Sequence, residues 1–271
     1  MGISIVIRCK DDERVFRCID SIDEKAEIIV VLNHNPDLQK RLEQKGIICC
    51  ISPPSNLSIV SNIGFFASTT GKVIITDSDT VFLTGCINKI NKALDNHKVA
   101  RARLTFDVNN ELPFSKVVAE ARDYVNSLPL VYTPGIGVRK DLVRDIGNFL
   151  FNENVPFAVD ADLDYRIKKA GIDVLFLQDA LIQHSAEGIK HDIKAALRIG
   201  SGCRVSAETL SRIFNGSNPD MIGKHLKGVK FSHFPDLIRK KGIVVFLYQI
   251  IWDIHFYIGY NSQRVCSLKK G

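Results

Sequence analysis

At 271 residues the chain is long enough for one large domain, or two closely joined halves, with a full hydrophobic core. Apolar residues make up 45% and charged residues 24%, which excludes long disordered arms. The net charge of +6 is spread along the sequence, so a dedicated nucleic-acid surface is excluded and only a mild preference for anionic ligands remains.

The first hundred residues alternate strand and helix. "MGISIVIRCK" enters a strand over 3–9 at once, with neither a basic leader nor a cleavage site, and burial of that strand argues against Gly2 as a lipidation site. Val15, Cys18, Ile19 and Ile22 follow at helical spacing. A second strand is predicted over 27–33, a helix over 36–45 ended by Gly46, and a third strand over 47–52. Ile59, Ile63, Phe66 and Ala67 then share a helical face closed by Gly71. In "KVIITDSDTV" (72–81), Val73 to Thr76 suit a strand covered on both faces, which runs straight into Asp77 and Asp79. A further helix is expected around 85–95. This βαβα rhythm predicts a parallel sheet with helices on both faces, binding ligands at the carboxyl ends of its strands. Cys9 to Asp12, Asn33, and Asp77-Ser78-Asp79 stand at three such ends, so three segments converge on one crevice.

The second half is less regular. "ARARLTFDV" reads as a strand and "SKVVAEARDYVNSL" as an amphipathic helix; "LVYTPGIGVRKDLVRDIGNF" reads as strand, glycine-bearing loop and short helix. A helix over 160–171 carries Asp162 near its start and stops at Gly171, and "IDVLFLQDALIQHS" returns to strand. Beyond His191 the chain is expected to be mostly helical. The seven cysteines (Cys9, Cys18, Cys49, Cys50, Cys86, Cys203 and Cys266) are odd in number and lack a CxxC pair, which points to free thiols in a reducing cytoplasm and away from a zinc knuckle.

Three features can carry chemistry: Asp77-Ser78-Asp79, Asp160-Ala161-Asp162, and His184 after a β run. Each has a plainer reading. Two acids one residue apart at a strand end suit a surface turn as well as a hard-cation site, in which carboxylate oxygens hold Mg²⁺ or Mn²⁺ together with substrate phosphates. Acids at a helix start complement the helix dipole, and a histidine after a strand is commonly structural.

Taken together, "ISIVIRCKDDE", "EIIVVLN", "SNIGFFASTTGKVIITDSDTVF", "GIGVRKDLVRDIG" and "VDADLDYRIKKAG" resemble, in order and spacing, the inverting GT-A glycosyltransferases of family 2. The resemblance runs from residue 3 to residue 185 or so. It implies an α/β GT-A fold, with a Rossmann-like central mixed sheet flanked by helices and a mostly helical C-terminal extension. Residues 1–100 would form the nucleotide-sugar-binding half, 101–190 the acceptor-binding half, and 191–271 the extension. It further implies that Asp77 contacts the donor nucleoside, that Asp79 holds Mn²⁺ or Mg²⁺ on the diphosphate, and that His184 completes the coordination. Asp160 would be the general base, supported by Asp162 and Arg166. Cys9, Asp12, Asn33 and Ser78 would line the donor nucleotide.

Several positions depart from the family pattern. "LNHNPD" replaces an Asp-Asp-Gly-Ser-like run, so Asn33 stands where an acid is expected and a UDP-sugar is only the default donor. Val159 replaces the glutamate before Asp160, and Cys9 replaces a threonine or serine. "PPSNLSIVSN" replaces an arginine-bearing segment, so that Arg8 or Arg139 would have to assist the diphosphate. The activity implied is sugar transfer from a nucleoside-diphosphate sugar to a glycan, lipid-linked or small-molecule acceptor, with no nucleic-acid partner. Two alternatives stay open. One is a sugar-nucleotide nucleotidyltransferase, disfavoured because the acidic "RCKDDE" stands where a glycine-rich phosphate loop is needed; the other is a catalytically degenerate nucleotide- or glycan-binding relative, kept alive by Val159 and Asn33.

In the extension, "RKKGIVVFLYQIIWDIHFYIGY" (239–260) has an apolar run that is too short, and too broken by Gln249, Asp253 and His255, to span a bilayer. It reads either as a helix packed on the domain or into a homodimer, or as an interfacial helix giving peripheral membrane contact at the cytoplasmic face. In the second case Arg239, Lys240 and Lys241 precede it, and Trp252, Phe256 and Tyr257 lie at the headgroup boundary.

Overall fold

The computed structural model describes residues 2–53, 56–213 and 231–262. The chain divides into two compact units built from interleaved segments. The first comprises Met1–Leu104, Val131–Glu153 and Asp162–His184, and the second Thr105–Leu130, Asn154–Ala161 and Ser185–Gly271.

Among the described residues the strands are β1 (Ser4–Cys9), β2 (Glu27–Asn33), β3 (Ile48–Ser52), β4 (Lys72–Asp77), β5 (Thr80–Phe82), β6 (Val99–Phe106), β7 (Ile136–Arg139) and β8 (Val174–His184). They form one sheet in the order β3-β2-β1-β4-β7-β6-β8-β5. β1 is buried along its whole length, as its unbroken apolar run requires. It pairs in parallel with β2 and β4, and β2 pairs in parallel with β3. The expected parallel sheet therefore covers only the first four strands in sequence. β7 pairs antiparallel with β4 and β6, and β5 pairs antiparallel with β8, which makes the sheet mixed.

Helices α1 (Val15–Asp20), α2 (Pro36–Glu43), α3 (Leu57–Ala67) and α4 (Cys86–Asn96) join the early strands. α2 and α3 start on asparagine caps: the Asn35 and Asn56 side chains accept from the amides of Leu38 and Ile59. α3 lies so close to the sheet that a Cβ on Gly64 would come within 2.2 Å of Val6 Cγ1. The short α6 (Leu142–Asp145) follows β7, and α7 (Val159–Lys169) precedes β8.

The second unit holds α5 (Ser115–Ser127), α8 (Ile189–Ile213), α9 (Phe234–Lys241) and α10 (Ile243–Asn261). Its core joins Val118, Ala121, Tyr124 and Leu128 to Leu237, Val245 and Tyr248. α8 and α10 cross where both carry glycine. A Cβ on Gly200 would meet the Phe256 carbonyl oxygen at 2.0 Å, and one on Gly259 would meet that of Leu197 at 2.2 Å.

Two expectations for the extension change. α10 is a single helix of 19 residues, long and apolar enough by length and composition to cross a membrane. Gln249 and Asp253 do not break its apolar surface because both are turned inward. Trp252 and Phe256 are also not at an outer boundary. Phe256 is buried, and Trp252 stacks on it beneath the Arg122 guanidinium, 4.4 Å from the ring centre. Tyr257 is exposed, as expected.

Candidate active site

The candidate site grows from the carboxyl ends of β1, β2 and β4. Register places Arg8 of β1 opposite Asp77 of β4, and the buried guanidinium grips that carboxylate with two bonds, Nε–Oδ1 at 2.7 Å and Nη2–Oδ2 at 2.9 Å. Nη2 also donates to Thr133 Oγ1 at 3.1 Å. Arg8 is thus committed to orienting Asp77 and is not available to a diphosphate. Nor does Arg139 stand at this end. It lies opposite Lys72, at the start of β4, and is ion-paired with Asp141 at 2.6 Å.

Asp77-Ser78-Asp79 forms the tight turn between β4 and β5. Thr80 Oγ1 donates to the Asp77 carbonyl at 2.7 Å, and the Ser78 amide donates to the Arg8 carbonyl at 3.1 Å. The plain reading of the motif as a turn is therefore correct, and this turn also aims Asp79. β5 is only three residues long, but its pairing sets Thr80 opposite His184 of β8. As a result His184 Nε2 lies 3.2 Å from Asp79 Oδ2. Residues more than a hundred positions apart meet because of one register.

Beside this pair stands a residue that the sequence reading did not single out. Arg14, at the start of α1, reaches Asp12 Oδ2 at 2.8 Å and Asp79 Oδ2 at 3.6 Å, with half of its side chain exposed. The signal for it was a basic residue two places after Asp12, in the loop that leaves β1. Ser78 Oγ donates to the same Asp12 carboxylate at 3.2 Å. Burial pushes the Asp79 carboxyl up, but the hydrogen bond and charge of His184 and the charge of Arg14 outweigh it and hold it below its ordinary 3.8. Asp12 is likewise held low, with Arg14 and Ser78 outweighing its burial.

Cys9 ends β1 with its thiol directed at the Asp12 carbonyl, 3.6 Å away. Burial raises this thiol to about 11, so it is a neutral donor that steadies the loop rather than a nucleophile. Asn33 ends β2 opposite Ser52 of β3, half-buried. Asn35, which caps α2, donates to Asp11, so the loops after β1 and β2 are tied together.

The remaining predicted residues lie on α7. Asp160 is on its first turn, with Oδ1 accepting from the amide of Ala161 at 3.1 Å. It falls in the second compact unit, whereas Asp162, Arg166, Asp79 and His184 fall in the first. The Asp162 side chain is 7% exposed and pairs with Arg166 at 2.8 Å, one helical turn on. The Arg166 guanidinium also donates to the carbonyls of Ile146, Phe149 and Leu150. Burial raises the Asp162 carboxyl above its ordinary value despite Arg166. This pair pins the 146–150 segment to α7.

Among the described residues, no three His, Cys, Asp or Glu side chains gather as a resident metal would require. Asp79 and His184 offer one carboxylate and one imidazole, a donor set that fits a cation completing its shell with phosphate oxygens and water. The six described cysteines are free thiols, and Cys266 lies outside the described residues.

No protein-family profile and no curated protein matches the chain. Solved structures do. S. aureus TarS has a TM-score of 0.51 at 15% identity, over 95% of this chain and 54% of that one. S. aureus TarS 1–349 has a TM-score of 0.50 at 16% identity, over 96% and 89% of the two chains. The same protein in complex with UDP-GlcNAc has a TM-score of 0.51 at 15% identity, over 97% and 92%. This chain thus spans about half the length of the longest of these structures. At such identities the likeness shows the fold alone: among the described residues, a mixed sheet of eight strands flanked by helices, followed by a helical C-terminal part.

Proposed function

We propose that this chain is a metal-dependent inverting glycosyltransferase of the GT-A type, similar to family 2. It would move a sugar from a nucleoside-diphosphate sugar, UDP-linked by default, to an acceptor hydroxyl. The observation that carries this reading is the Asp79–His184 pair, held 3.2 Å apart by the β5–β8 register, beside Asp12, Asp77 and Ser78 at the strand ends. The crystal complex of S. aureus TarS 1–349 with UDP-GlcNAc, which shares the fold, supports a nucleotide-sugar donor.

Asp79 and His184 would hold Mn²⁺ or Mg²⁺, and the bound cation supplies electrostatic stabilisation of the charge that builds on the leaving diphosphate. Asp79 meets this role as an anion at neutral pH, since its carboxyl is held below the ordinary value. Arg14 stands at the same acids with a half-exposed guanidinium and takes the place, toward the diphosphate, that the sequence reading gave to Arg8 or Arg139. Asp77, oriented by Arg8, faces the nucleoside together with Asn33 and the loop that Cys9 and Asp12 shape. Asp160 accepts the proton of the acceptor hydroxyl as that oxygen bonds to the anomeric carbon. The bond from that carbon to the diphosphate oxygen breaks on the opposite face, so one displacement inverts the configuration. General-base catalysis of this kind contributes about 10²–10⁴-fold. Asp162 and Arg166 act as positioning residues for the start of α7.

Thermal denaturation with a panel of nucleoside diphosphates tests the reading. A rise in midpoint is expected only when nucleotide and Mn²⁺ are both present, and Asp79→Asn should remove it. Asp160→Asn should keep that rise while slowing transfer or donor hydrolysis by about 10²–10⁴-fold. A midpoint shift that survives Asp79→Asn, or the absence of any shift, rejects the site. A metal-dependent shift with no turnover of any donor favours the binding-only relative.

A further inference from the structure

Helix α10 is turned the opposite way from an ordinary surface helix. Two of its polar side chains face inward, Gln249 at 1% and Asp253 at 9% exposure, while His255 is partly exposed and Asn261 exposed. Gln249 donates to Asp253 at 2.9 Å and accepts from Arg122 of α5 at 2.9 Å, while the Tyr248 hydroxyl donates to Asp192 of α8. The face left outside is aliphatic. Ile243, Val244, Leu247, Ile251, Ile254 and Ile258 are between 46% and 60% exposed. From Val244 to Ile258 they recur at alternating steps of three and four, a continuous stripe along one side of the helix. Such a contiguous apolar face gains free energy only by leaving water.

One end of the stripe is basic. Arg239 and Lys240 of α9 share a single carboxylate, Asp236, at 2.7 and 2.9 Å, and Lys241 pairs with Asp123 at 2.6 Å. Three cations against two carboxylates leave a positive surplus beside the aliphatic face.

We propose that this face of α10 lies in the surface of an anionic lipid bilayer, with its aliphatic stripe among the acyl chains and Arg239 and Lys240 against headgroup phosphates. Charge decides for lipid over a second copy of the chain. A parallel copy would bring two like-charged clusters together, and an antiparallel copy would offer the cluster no exposed carboxylate from α10, whose one acid, Asp253, is buried, whereas anionic lipid satisfies stripe and cluster at once. The inner face decides against crossing the bilayer, because Arg122 and Asp192 bind it to α5 and α8. The inference is independent of the reaction proposed above.

The test is sedimentation of the full chain with vesicles of phosphatidylglycerol mixed with phosphatidylcholine, and of phosphatidylcholine alone, at low and high salt. The chain should pellet with the anionic vesicles, bind several-fold more weakly as salt rises, and be released by an alkaline carbonate wash. L247Q/I251Q/I254Q should weaken partitioning on the order of 100-fold or more, with its thermal midpoint unchanged. R239Q/K240Q should weaken it about fivefold per charge and remove much of the salt dependence. Three results would overturn the proposal: no pelleting with anionic vesicles, a triple variant that pellets like the parent, or resistance to the carbonate wash, which means a spanning helix. A lipid-free dimer that the triple variant dissociates would assign the face to a second copy instead.

Discussion

Asp79 carries two partners of different character: an imidazole at 3.2 Å that is itself a metal ligand by type, and a half-exposed guanidinium at 3.6 Å. Asp77, two residues before it, is neutralised separately by Arg8, so the like charges of the motif are each balanced by a partner of their own. The pH dependence follows from the signs. Asp79 and Asp12 are both held below their ordinary 3.8, so their contribution to stability is fully present above that value and is lost as pH falls through the lowered folded values. Asp79→Asn should therefore flatten the acid limb of a midpoint-against-pH curve below about pH 4. Asp162 behaves oppositely. Burial raises its carboxyl and Arg166 opposes that rise, so Arg166→Ala leaves a buried charge with its main partner gone. That substitution should cost about 3–5 kcal/mol by chemical denaturation, and adding Asp162→Asn should recover part of it.

At the scale of elements, close approach is secured by glycines whose missing Cβ is the point of contact. Gly64→Ala in α3 would drive a methyl into Val6 and Val31, and should cost about 1–3 kcal/mol in stability measured with urea. Gly259→Ala meets the Leu197 backbone instead of a side chain that can rotate away, so the larger loss is expected there. Most strands and helices of the first half were legible in the sequence because they show a clear period or a stop, as at Gly46 and Gly71. β5 was not legible. Three residues carry no period, and the strand exists only because β8 pairs with it.

For the molecule as a whole, the extension is part of a core rather than an appendage. Leu237, Val245 and Tyr248 close over Val118, Ala121, Tyr124 and Leu128 of α5. A chain stopped after Ile213 should therefore expose that cluster, bind a hydrophobic dye strongly, and scatter light at concentrations where the full chain does not. The interleaving of the two units likewise arises from the tertiary fold. α7 begins in one unit and continues in the other, so Asp160 and Asp162 belong to different units although one residue separates them.

The sequence by itself determined the order of most elements of the first half, the α/β class and the placing of Cys9, Asp12, Asn33 and Asp77 to Asp79 at strand ends, because periodicity and the parallel βαβ rule are local in origin. It also carried the resemblance that singled out His184. Only the tertiary structure decided which cations answer which acids. Arg8 was a candidate for the diphosphate until β1–β4 register placed it on Asp77, and Arg14 entered only through its distance to Asp79. The same holds for α10. Its composition reads as an interrupted apolar run, and whether Gln249 and Asp253 interrupt its outer surface depends on which face Arg122 and Asp192 hold against the core. Pairing register and helix rotation are set by distant partners, and a linear sequence does not specify those partners without the fold.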